Sequence, residues 1–180
     1  MNILDVAENS VRAGASLVSV LLDFKDDATL VLSIDDNGSG MDEAVLRRVE
    51  DPFFTSRTTR KVGFGVPFLK MAAELTGGGF AIESAVGTGT SVTAVFNTEH
   101  IDMIPLGGIG STLSALISGS PGTDFTCVVR RGGSEFLLDS REIKSLLDGV
   151  PVESPDVAVF IREYAEENIL ALLDGTMVKE

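Results

Sequence analysis

Asp5 and Asn9 stand four residues apart in Ile3-Leu4-Asp5-Val6-Ala7-Glu8-Asn9, a spacing that puts both side chains on one face of a helix. A carboxylate beside a carboxamide oxygen can serve a hard cation and an attacking water, although the same pair also decorates solvated helix faces. Further on, Asp36-Asn37-Gly38-Ser39-Gly40 follows an apolar, β-branched run. A carboxylate there can accept from an amino group such as the N6 of adenine, and glycines let the main chain approach a planar base. An ordinary turn has the same composition, but a calcium loop is excluded because its later ligand positions fall on Met41, Ala44 and Val45. Gly63-Phe64-Gly65 precedes a helix-forming stretch, so free N–H groups and the helix dipole could face a phosphate. Gly87-Thr88-Gly89-Thr90, taken alone, reads as a hairpin turn.

Two common nucleotide-binding patterns are missing. Phe68 stands where a dinucleotide fingerprint needs its third glycine, and no G-x-x-x-x-G-K-[ST] occurs in the chain. With 180 residues, 44% hydrophobic and 23% charged, the chain has a globular composition and room for one domain with a proper core or one domain carrying a sizeable extension. The net charge of −13 argues against a nucleic-acid partner, since neutralising phosphates takes clustered Lys and Arg. Arg57, Arg60 and Lys61 form a local basic exception. No apolar run approaches the ~20 residues of a membrane span, and no secretory leader is recognisable. A single cysteine, Cys127, leaves no internal disulfide, and a cytoplasmic location without membrane partners is the expectation.

The elements that must position these residues follow from periodicity and punctuation. Ile3, Ala7 and Val11 predict a first helix ending near Gly14. Leu17–Phe24 and Thr29–Ile34 predict a hairpin, and Met41–Val49 a short helix stopped by Pro52. Residues 51–63 read as a loop, and Gly65-Val66-Pro67 opens a helix that Gly77-Gly78-Gly79 ends. Phe80–Ala85 and Thr90–Phe96 predict a second hairpin. Beyond Thr98 the pattern predicts a helix near Ser111–Ile117 and a hairpin from Phe125 to Leu138 turning at Gly132-Gly133. A short helix capped by Ser140 should follow, then a helix over Pro155–Leu173 with Val159, Tyr164, Ile169 and Leu173 inward.

In order and spacing, the set resembles the Bergerat (GHKL) ATPases, the nucleotide fold of histidine kinases, gyrase, mismatch-repair ATPases and the large heat-shock chaperones. Glu8-Asn9-Ser10-Val11-Arg12-Ala13-Gly14-Ala15 resembles the asparagine box of the mismatch-repair members. Asp51-Pro52-Phe53-Phe54-Thr55-Ser56 is similar to the phenylalanine box of histidine kinases, and Gly77-Gly78 followed by Gly87-Thr88-Gly89-Thr90 resembles their ending. The resemblance covers residues 1–97 and implies a histidine-kinase-like ATP-binding domain there, with residues 98–180 a C-terminal α/β extension. The fold it implies is α/β (α+β), a two-layer sandwich whose mixed, mostly antiparallel sheet carries helices on one face.

The resemblance further implies ATP and Mg²⁺ as cofactors. Asn9 would be the metal ligand, Asp36 the acceptor of adenine N6, and Gly38, Gly40 and Met41 would border the base. Thr90 would support Asp36 and a bridging water. Gly63 and Gly65 would pass near the phosphates, and a lid carrying Thr55, Arg57, Arg60 and Lys61 would cover them. Asp5 stands where hydrolysing members carry Glu, so it is the candidate general base with a shorter arm. His100 is the only histidine and lies past the last ATPase strand, so it is expected to be a surface or cap residue and the chain not a complete sensor kinase. The functional expectation is a regulatory protein that passes phosphate to a separate protein partner or phosphoacceptor, with a homodimer left open. The alternative is a slow ATPase or a nucleotide-gated interaction protein without kinase activity.

Overall fold

The computed structural model describes residues 3–49 and 65–174. Along the chain run α1 (Ile3–Arg12), β1 (Leu17–Phe24), β2 (Thr29–Asp36), α2 (Glu43–Val49), α3 (Gly65–Leu75), β3 (Gly79–Ala85) and β4 (Gly89–Asn97). They are followed by α4 (Ile109–Gly119), β5 (Asp124–Arg131), β6 (Ser134–Asp139), α5 (Ser140–Leu146) and α6 (Pro155–Leu173).

The strands form one mixed sheet in the order β3-β4-β2-β1-β5-β6. β1 and β5 pair in parallel, and the other neighbours are antiparallel. Alternation decides which face is covered. Val18, Val20 and Leu22 of β1 align with Phe125, Cys127 and Val129 of β5, and all six are buried. Leu30, Leu32 and Ile34 of β2 continue that inner layer beside Phe96, Ala94 and Val92 of β4. Helices α1, α3, α4 and α6 lie against this face, giving the two-layer α+β sandwich. On the other face, Leu137 of β6 is 51% exposed. The segment beyond residue 98 extends the sheet through the parallel β1–β5 ladder.

Several elements differ in detail from their sequence-based expectations. β2 runs past Ile34 to Asp36 because Asp35 and Asp36 still pair with Ser91 and Thr90 of β4. This puts Asp36 at a strand end rather than in a free turn. The α5 cap is Asp139, whose carboxylate accepts from the Arg141 N–H at 2.9 Å. Ser140 is instead fully buried, and its Oγ accepts from the Phe125 N–H at 2.8 Å. The inward face of α6 is Val157, Ile161, Ala165, Ile169 and Leu172, whereas Val159 and Tyr164 are each 42% exposed. Tyr164 stacks on Phe160 at 5.8 Å, on the helix flank rather than in the core. Lys144 donates to the carbonyls of Pro121 and Thr123 and to Asp124 Oδ1, tying α5 to the start of β5.

Candidate functional site

Asp36 is the point at which three elements converge. Ser10 Oγ of α1 donates to Oδ2 at 2.6 Å. The Gly38 N–H donates to Oδ1 at 2.8 Å, and the Thr90 N–H donates to the same oxygen at 3.3 Å. A carboxylate has about four lone-pair sites, so Oδ1 is filled and Oδ2 keeps one acceptor position. Asp36 lines a pocket of about 570 Å³ together with Val6, Asn9, Ser10, Ile34, Gly40, Met41, Ile82, Thr90 and Val92. Apolar walls with a few convergent polar groups are what a planar heterocycle needs.

Each expected site residue among the described ones has a definite place. Gly40 and Met41 line the pocket, whereas Gly38 stands behind Asp36 and serves it as a backbone donor. Gly40 has φ +62°, and a Cβ there would lie 1.9 Å from the Ala85 carbonyl oxygen. Its glycine is therefore demanded by the chain's own β3 end. Thr90 faces the pocket and pairs across the ladders with both Asp36 and Ser84. Asn9 also lines the pocket; its Oδ1 accepts from Arg12 Nη1 at 3.0 Å, and Arg12 Nη2 donates to Glu8 at 2.7 Å. Asp5 is exposed and does not line the pocket. Gly65 begins α3 directly against it, close enough that a Cβ on Gly65 would lie 2.7 Å from the Asp5 Cβ. Thr55, Arg57, Arg60, Lys61, Gly63 and the phenylalanine-box stretch lie outside the described residues.

Three residues that the sequence reading did not single out bear on the site. Ser10 is 4% exposed, one position after Asn9 and turned toward the sheet. Ser84 contacts the Met41 N–H, the Gly89 carbonyl and the Thr90 hydroxyl, all within 2.9 Å. Asn37 accepts from the N–H groups of Ser16 and Leu17 and donates to Ser16 Oγ, pinning the turn after Asp36 to the start of β1. For Arg12, the four-residue spacing from Glu8 was a readable signal. Ser84 left none, because Thr90 joins it through sheet pairing and Met41 through the packing of the chain after β2 on β3. His100 Nδ1 accepts from the Asp102 N–H at 3.2 Å, which makes it a local cap.

Among the described residues no group of three or more His, Cys, Asp or Glu could hold a metal, and no helix is long and apolar enough to cross a membrane. The donor set does fit Mg²⁺ of the shared kind, in which one protein oxygen completes a shell supplied mainly by phosphates and water. Asn9 Oδ1 is the pocket oxygen that would serve, with Arg12 Nη1, from which it accepts at 3.0 Å, giving way to the cation. A second hollow, about 470 Å³, lies at the opposite end of the β1–β2 hairpin. Its walls include the ion pairs Lys25–Asp23 and Arg130–Glu135, and no convergent set of acceptors resembling that at Asp36 is found there.

A family model described as "Histidine kinase-, DNA gyrase B-, and HSP90-like ATPase" matches residues 2–100. The sensor protein kinase FleS of Pseudomonas aeruginosa is 46% identical over 59 residues, which are 32% of this chain and 14% of that protein. A Bacillus subtilis protein named "Probable C4-dicarboxylate sensor kinase" is 29% identical over 87 residues, 48% of this chain and 16% of its own length. The chain thus corresponds to a small fraction of the curated relatives it matches. Among solved structures, the N-terminal domain of a DNA repair protein aligns with a TM-score of 0.52 at 13% identity. The alignment covers 83% of this chain and 56% of that one, a likeness of fold.

Proposed function

The chain belongs to the histidine kinase-, DNA gyrase B- and HSP90-like ATPase family, and from that membership we propose that it binds ATP at Asp36 and passes the terminal phosphoryl group to a separate protein. The observation that carries the reading is the Asp36 carboxylate, fixed by Ser10, Gly38 and Thr90 with one acceptor position left on Oδ2. An adenine N6–H fits that position, and the apolar walls from Val6 to Val92 fit the ring faces. Asn9 would hold Mg²⁺ jointly with the phosphates, a metal that supplies charge neutralisation to the transferring group. Val49 and Val66 both line the pocket, so the chain leaves and re-enters beside it. Thr55, Arg57, Arg60, Lys61 and Gly63, between them, would meet the phosphates together with Gly65. The partner's nucleophile would attack the γ-phosphorus while ADP departs. The protein would work in the cytoplasm, alone or as a homodimer.

A second reading, a nucleotide-gated interaction protein with little hydrolysis, is favoured by Asp5. Asp5 is exposed and outside the pocket wall, and its side chain is one carbon shorter than the glutamate of hydrolysing members, so it reaches less far toward a water beside Gly65. Incubation with γ-labelled ATP and Mg²⁺, with and without extract of the source cells, separates these outcomes. Label on a second protein supports transfer, and free phosphate alone supports an ATPase. Binding with neither supports gating, and no binding removes both readings.

A further inference from the structure

Ser84, Thr90 and Asp36 lie on one cross-strand row, Ser84 opposite Thr90 on β3–β4 and Thr90 opposite Asp36 on β4–β2. Ser84 Oγ has three neighbours: the Met41 N–H at 2.9 Å, the Gly89 carbonyl oxygen at 2.8 Å and Thr90 Oγ1 at 2.9 Å. A serine hydroxyl has one proton and two lone pairs. The Gly89 carbonyl can only accept, so it takes the proton, and the Met41 N–H can only donate, so it takes one lone pair. The remaining lone pair faces Thr90, whose own proton must therefore point at Ser84. Thr90 Oγ1 is left with lone pairs alone for the pocket it lines. Asp36 Oδ2, already holding the Ser10 proton, likewise presents only an acceptor.

We propose that Ser84 is a positioning residue that locks the Thr90 hydroxyl as an acceptor, so that the site selects 6-aminopurine over 6-oxopurine nucleotides. This deepens the ATP-site reading and rests on it. An exocyclic amine brings two N–H donors to two acceptors, directly or through one water. A 6-oxo group brings a lone pair to the same place; its N1–H can pair with one acceptor through a water, but the acceptor facing O6 is left unpaired beneath the ligand, the situation that makes polar sites selective. With Ser84 replaced by an apolar residue, the Thr90 proton is free to turn toward the ligand and donate to O6.

ATP and inosine triphosphate differ at C6 in this sense, and competitive titration of both against the full chain reads the effect. Wild type should prefer ATP, and Ser84→Ala should lower the ATP-to-inosine-triphosphate affinity ratio about three- to tenfold, the worth of one hydrogen bond. In a Thr90→Val background, Ser84→Ala should produce no further change in the ratio. An equal loss for both nucleotides, with the ratio unchanged, would mean that Ser84 only supports the fold and would overturn the proposal. Should Ser84→Ala fail to fold, Thr90→Val alone must lower the ratio, and an unchanged ratio overturns the proposal equally. Failure of wild type to bind either nucleotide overturns the ATP-site reading together with it.

Discussion

Ser10 on α1 and Asp36 at the end of β2 are joined by a 2.6 Å hydrogen bond between residues 26 positions apart in sequence. The bond fastens the helix that carries Asn9 to the strand that carries Asp36, and the Ser39 N–H to Ala13 carbonyl bond at 2.9 Å ties the turn after that strand to the end of the helix. Ser10 can donate a single proton, and Asp36 as a carboxylate can only accept. The direction of the bond therefore leaves Asp36 an acceptor toward the ligand.

Ser10→Ala should destabilise the fold by ~1 kcal/mol and weaken ATP binding about three- to tenfold, because it removes one of three donors to Asp36. Chemical denaturation and titration of the same preparation measure both. Full affinity in the variant would show that Gly38 and Thr90 hold Asp36 unaided.

Gly40→Ala should cost more than ~1 kcal/mol, since it places a side chain at positive φ and, in addition, 1.9 Å from the Ala85 carbonyl oxygen. The main chain at Met41 would have to shift, so nucleotide affinity should fall as well. A melting curve that superposes on wild type would contradict this packing of Gly40 on β3.

Asn9 and Asp5 should separate binding from chemistry. Asn9→Ala is expected to weaken Mg²⁺-dependent ATP binding while leaving affinity in chelator little changed. Asp5→Asn should leave both affinities intact. A fall in turnover of ~10²–10⁴-fold would make Asp5 the general base; its exposure and its side chain, one carbon shorter than glutamate, predict a smaller effect. Quench-flow or steady-state phosphate release decides between these.

Cys127 is fully buried, and burial pushes its thiol up from 9.0 to about 12. The folded state thus keeps a proton that the unfolded chain releases near pH 9, so this contribution to stability is complete below pH 9 and is lost as pH rises toward 12. The thiol should resist an aromatic disulfide reagent at pH 8 until denaturant is added. Rapid modification of the native protein would contradict the burial.

Local pattern carried far in this chain because strands with one covered face alternate cleanly. Leu17–Phe24 and the Gly132-Gly133 turn could be read directly, as could the helix over Pro155–Leu173. Asp36 was legible for a different reason: its glycines and the order of the surrounding motifs mark it. What sequence could not carry was the convergence. Ser84 meets Thr90 through β3–β4 pairing and Ser10 meets Asp36 across two layers, and neither contact leaves a local trace. The inward face of α6 departs from the expected Val159 and Tyr164 because a long helix with scattered apolar residues offers several stripes. Ala165, fully buried, decides which one faces the sheet. Ser140 has the local signature of a cap, and its burial against β5 depends on Phe125, 15 residues earlier.

The central claim is that Asp36 receives an adenine nucleotide, and calorimetric titration of Mg²⁺–ATP into wild type and Asp36→Asn tests it most directly. Asparagine would turn an N–H₂ toward groups that already donate, those of Ser10, Gly38 and Thr90, or toward the ligand amine. The account predicts saturable binding by wild type and a loss of about ten- to a hundredfold in the folded variant. Equal affinity in the two proteins, with both melting cooperatively, would contradict it.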